Sequence, residues 1–199
     1  MKQAAVGFRV HSGWSALVTV SLEQDGPIVL SRERVHLVET FIYKFRQPYH
    51  TAGRMPLEKA RVFVDASLVE AKRRAGGALR STQNEMRKQG YEVVRCALLL
   101  ASGKALPGLE GILKSHALIH TADGELFREA LRCSSADCGL EMACIKEREL
   151  LDRGVKALRT RRDKLLRRLT ELGTDFGSPW TQDEKYATLA AWLVLADPS

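Results

Sequence analysis

The sequence predicts a mixed α/β chain that opens with an antiparallel three-stranded meander and closes in helices. Three observations predict it. Three runs rich in β-forming residues come first, joined by short glycine-containing turns. A long stretch with apolar residues every three or four positions follows them. A further apolar run, Tyr91–Leu100, then interrupts the helical pattern.

Residues 6–10 read as the first strand, and His11-Ser12-Gly13 as the turn after it. Residues 14–22 alternate Ala16, Val18 and Val20 against Leu17, Thr19 and Ser21, the two-residue period of a strand. Asp25-Gly26 is a hairpin signal leading into a third strand over 28–38. Residues 47–55, with Pro48, His50 and Gly53, read as a loop. Pro56 suits the first turn of a helix whose stripe runs Ala60, Val64, Leu68, Ala71, Ala75, Leu79, Thr82 and Met86. Gly76-Gly77 marks either a break in it or a point of close packing. Tyr91–Leu100 ends in unbroken apolar residues, as a central strand buried on both faces does. A helix over 109–132, interrupted at Asp123-Gly124, a strand over 139–145, a basic helix over 147–172 and a last helix over 182–195 complete the order.

At 199 residues the chain suits one domain, with a sheet core over 1–146 and the basic and terminal helices over 147–199. Its 45% hydrophobic and 28% charged residues place it among globular rather than disordered chains. No apolar run approaches the roughly 20 residues that span a bilayer, and the first residues show no secretory pattern, so the expected location is cytoplasmic. Cys96 and Cys144 lie in strand-like runs and are expected to be buried. Cys133 and Cys138 lack the spacing of a paired zinc ligand set.

The net charge of +7 is concentrated in one place. Arg153, Lys156, Arg159, Arg161, Arg162, Lys164, Arg167 and Arg168 stand against a single acid, Asp163, so this stretch carries the whole excess. Such a stripe is the footprint of a protein that meets phosphates; a solvated helix face is the plainer reading.

The element order (three antiparallel strands, helix, strand, helix, strand, helices) resembles that of the ribonuclease H-like superfamily of nucleases, transposases and actin-like ATPases. Val6-Gly7-Phe8-Arg9-Val10-His11-Ser12-Gly13, then Ala16 to Val20 and an Asp-Gly turn, resemble the superfamily's opening. Residues 139–145, the basic stretch and Asp183-Glu184-Lys185-Tyr186-Ala187-Thr188-Leu189-Ala190 are similar to the closing portion of RuvC-type Holliday-junction resolvases. There a strand leads through a Lys/Arg-rich region to an Asp-bearing helix. The resemblance implies a mixed sheet, three antiparallel strands and then parallel ones, flanked by helices. In the nuclease members, carboxylates on the first strand, the fourth strand and the last helix hold two divalent metals about 4 Å apart. Here the first strand offers Arg9 between Phe8 and Val10, and the fourth offers Ala97, Leu98, Leu99 and Leu100. Only Asp183 and Glu184 remain, and one carboxylate pair cannot ligate two ions. The chain therefore reads as a ribonuclease H-like protein without the catalytic carboxylates.

That leaves three functional readings. The first is a non-catalytic nucleic-acid-binding module using the eight basic residues, with Trp180 as an aromatic that stacks on a base. The second is a divergent one-metal hydrolase built from Asp183, Glu184, His116, His120 and Glu125. His116 and His120 share a helix face, although the sequence identifies no third ligand. The third is an assembly protein, pairing with another protein or a second copy through the leucines of the basic helix. No organic cofactor and no membrane is expected, and Trp14 and Trp192 are expected in the core. Ser102-Gly103-Lys104 lacks the remainder of a phosphate-loop pattern and reads as a turn.

Overall fold

The computed structural model describes residues 1–40, 42–101 and 105–196. The opening meander forms as β1 (Lys2–His11), β2 (Trp14–Glu23) and β3 (Gly26–His36). It is followed by α1 (Tyr43–Arg46), α2 (Pro48–Ala52), α3 (Leu57–Lys88), β4 (Tyr91–Leu100), α4 (Leu109–Leu113), α5 (His116–Asp137) and β5 (Glu141–Lys146). The last helices are α6 (Leu150–Ala157), α7 (Arg162–Glu171) and α8 (Gln182–Ala196). The five strands form one sheet in the order β3-β2-β1-β4-β5. β1 is antiparallel to β2, with Phe8 opposite Leu17, and parallel to β4, with Phe8 opposite Leu98. β5 adds in parallel at the edge, with Leu98 opposite Cys144.

The two-residue period of β1 divides the core. Ala4, Val6, Phe8 and Val10 pack with α3 and α5 residues such as Ala71, Leu79, Phe127 and Leu131. Ala5 lies on the opposite face with Ala97 and Leu99, against Leu150, Leu165, Leu169 and the small residues Ala187, Ala190 and Ala191 of α8. Gly7 also belongs to this second face. A Cβ there would run into the Ala187 carbonyl, so glycine is what lets α8 lie directly on β1. This close approach carries the start of α8 to the C-terminal end of β1.

Several segments differ from the sequence expectations. Residues 47–55 are not all loop: α2 forms there, with Pro48 in its first turn. Gly76-Gly77 does not break α3, where Gly76 sits in the buried stripe. The 109–132 segment breaks near Ser115 rather than at Asp123-Gly124, because the Asp123 side chain bonds to α2 and leaves its own helix intact. The basic stretch is two helices, not one. Arg159 adopts the left-handed conformation, φ 47°, and the Thr160 N–H donates back to the Val155 carbonyl at 3.2 Å, closing α6 as a helix C-cap does. Cys96 is buried as expected, which pushes its thiol up to about 12, but Cys144 is exposed because β5 is the edge strand. Among the described residues no helix is long and apolar enough to cross a membrane.

Candidate functional site

Arg9 is the residue of β1 that points out past Gly7 on the α8 face, where β5 ends and α8 begins. Its guanidinium grips Glu147 in a two-pronged fork, Nε to Oε2 at 3.0 Å and Nη2 to Oε1 at 2.7 Å. Nη1 donates to Asp183 Oδ1, which His11 Nε2 also meets at 2.7 Å. The guanidinium carbon lies 5.5 Å from the Tyr186 ring centre. His11 is itself held: its ring stacks on Trp14 at 4.4 Å, and the Arg34 guanidinium covers the Trp14 ring at 3.8 Å. Trp14 is therefore half-buried in a cation–aromatic stack rather than in the core.

The electrostatics follow from this packing. The hydrogen bond to Glu147 raises the Arg9 pKa against the cost of burial, so the guanidinium stays charged. Burial by itself would raise the Asp183 carboxyl, but the bonds and charges of His11 and Arg9 outweigh it and hold it below the usual range. Both carboxylates are already bonded to the Arg9 guanidinium.

The residues present do not fit a two-metal centre. Leu99, the β4 residue on the same face as Arg9, is 1% exposed and apolar. Where a first-strand acid would bind an ion, Arg9 supplies a cation instead. The guanidinium holds both oxygens of Glu147 and Oδ1 of Asp183, and a metal would have to displace it from those atoms.

Of the acids singled out from the sequence, only Asp183 belongs to this cluster. Glu184 turns away and caps α8, accepting from the Thr181 N–H at 2.7 Å and its hydroxyl at 2.6 Å. Glu125 is paired with Arg128 at 2.9 Å and does not join the histidines. His116 and His120 lie at the start of α5, which packs on the other face of the sheet, and His50 of α2 joins them there. Glu147 and His11 were missed from sequence as site residues. The signal available for Glu147 was an acid directly following the last parallel strand, at the end where Arg9 emerges.

The eight basic residues run along α6, the turn after it and α7. Arg153, Arg161, Arg162 and Arg168 have acidic neighbours at 2.9, 3.1, 3.4 and 3.9 Å. Lys156, Arg159, Lys164 and Arg167 are exposed and have no ion pair among the described residues. Between the β5 edge and α6 lies a groove of about 650 Å³, lined by Arg95, Arg153, Lys156 and Arg159 with Glu141 as its acid. Trp180 is not a free stacking platform: its indole N–H donates to the Leu169 carbonyl at 2.7 Å, and its ring rests against Gly173. Ser102-Gly103-Lys104 lies outside the described residues.

Sheet order and layering define a ribonuclease H-like α/β fold. The sequence matches no protein-family model and no curated protein. Solved structures do match it in fold. Thermus thermophilus RuvC in complex with a Holliday junction substrate superposes with a TM-score of 0.54 at 11% identity, covering 98% of this chain and 93% of that one. A second Thermus thermophilus RuvC structure gives 0.53, also at 11% identity, over 97% and 93%. The chain has a RuvC-like fold.

Proposed function

We propose that this chain is a non-catalytic, nucleic-acid-binding member of the RuvC-like fold, which binds phosphates through the basic surface of α6 and α7. The observation that carries the reading is Arg9. A permanently charged guanidinium sits where the fold's nucleases need a metal-binding carboxylate, and it ties up the two acids nearest to it. Support for binding comes from charge placement: the whole net excess lies on one surface, four of its cations have no acidic partner among the described residues, and a basic groove adjoins it. A structure with the same fold holds a Holliday junction, which makes a branched duplex the first ligand to test.

The test is a gel shift of the full chain on linear duplex, four-way junction and single-stranded DNA and RNA, followed by a cleavage assay in Mg²⁺ or Mn²⁺. The expected result is a retarded complex with every strand intact. Metal-dependent cleavage that disappears in Asp183→Asn would overturn the non-catalytic reading, and no shift on any probe would overturn the binding one.

A further inference from the structure

On the sheet face opposite Arg9, three histidines converge without any contribution from the Arg9 cluster. His116 and His120 are one helical turn apart on α5, and α2 brings His50 against them across 66 residues of chain. Ring centres lie 4.3 Å apart for His50 and His120, 4.4 Å for His116 and His120, and 5.5 Å for His50 and His116. The three rings meet edge to face, at 67°, 90° and 89°, rather than in a stack. One nitrogen from each lies within 4.8 Å of the others. Tetrahedral zinc with bonds of about 2.0–2.1 Å needs ligand nitrogens about 3.4 Å apart, which the exposed His116 and His120 can reach by small rotations.

A fourth residue makes the cluster more than a chance meeting of rings. Asp123, one turn past His120 on the same helix, is 3% exposed. Its Oδ1 accepts from the Tyr49 backbone N–H at 2.7 Å, and its Oδ2 accepts from His50 Nδ1–H at 2.5 Å. That bond fixes the tautomer with the proton on Nδ1 and leaves the Nε2 lone pair of His50 free, as carboxylate–histidine–metal arrangements do. A buried carboxylate bonded to one of three converging histidines is the arrangement that orients metal-ligating imidazoles.

We infer that His50, His116 and His120 form a zinc site, with Asp123 as the residue that positions His50 and a solvent molecule in the fourth coordination place. Three neutral imidazoles with a carboxylate behind one of them suit Zn²⁺ over the hard cations Mg²⁺ and Ca²⁺, which require oxygen donors. Bound there, the ion ties α2, in the connection from the meander, to the start of α5.

The full chain, purified without an affinity tag and freed of metal by chelation, is titrated with ZnCl₂ by calorimetry and with CoCl₂ by visible absorption. The expected result is one ion per chain, a tetrahedral Co²⁺ spectrum bleached by Zn²⁺, and a melting temperature raised by about 5 °C or more at a hundredfold excess of zinc over Kd. His116→Ala and His120→Ala, both at exposed positions, are expected to abolish all three signals, while His36→Ala on β3 leaves them intact. Asp123→Asn is expected to weaken Co²⁺ binding about 10- to 100-fold. Absence of the spectrum in the wild-type chain, or its persistence in both histidine variants, would overturn the site. Neither result bears on the nucleic-acid reading, which rests on α6 and α7.

Discussion

At the residue scale the informative side chain is Arg9, because its guanidinium joins two part-buried carboxylates, Glu147 and Asp183, from different elements. Asp183 contributes to stability through its neighbours, and the sign of its pH dependence is determined. Its folded-state pKa lies below the ordinary carboxylate value, so folding favours the ionised form. That contribution is complete above about pH 4, the ordinary value for Asp, and is lost as the pH falls through the lower folded value. Asp183→Asn is therefore expected to be less stable than wild type by about 1 kcal/mol at pH 7, with the gap closing in acid. Urea unfolding of both proteins at pH 7 and pH 3 measures it, and an undiminished gap at pH 3 would contradict the assignment. Sequence reading reached Arg9 and Asp183 separately, through the resemblance. It could not join them, since Arg9 and Asp183 are 174 positions apart and only β1 and α8 packing brings them together. His50 was lost for the same reason: its partners lie on α5, and its own segment carries turn-forming residues that mask a short helix.

At the element scale the strands and the long helices were legible because each leaves a strong apolar pattern. The meander forms where alternation marks it, α3 where a three-to-four spacing does, and β4 and α8 where runs of apolar residues do. Boundaries set by single side chains were not legible. The break between α6 and α7 depends on one residue, Arg159, in a left-handed conformation that its type does not favour. The seating of α8 on β1 depends on Gly7, which in the sequence is only one residue of the first strand. Gly7→Ala forces a methyl group into the Ala187 backbone, where neither partner is a flexible side-chain end. It is expected to cost about 2–3 kcal/mol. Gly77→Ala, inside α3 with open space around it, is the control and is expected to lose no stability. Equal effects of the two substitutions on urea midpoints would show that α8 does not depend on this contact.

At the scale of the whole molecule, opposite faces of one sheet are put to different uses. One face carries α8, the Arg9 cluster and the basic helices; the other carries α3, α5 and the three histidines. The RuvC-like fold supplies the frame for both. The charge asymmetry, readable in the sequence as composition, gains a location: an exposed strip from Arg153 to Arg168 beside a groove at the sheet edge. The central claim is that this strip binds nucleic acid through phosphate contacts. Its most direct test is the dependence of duplex DNA affinity on salt, for wild type and for the variant carrying Arg159→Glu, Arg162→Glu, Lys164→Glu and Arg167→Glu. Each phosphate contact contributes about 0.9 to the slope of log affinity against log salt. The account predicts a steep wild-type slope and one shallower by about 3 in the variant, with affinity lost at every salt concentration. Equal slopes and equal affinities would contradict it.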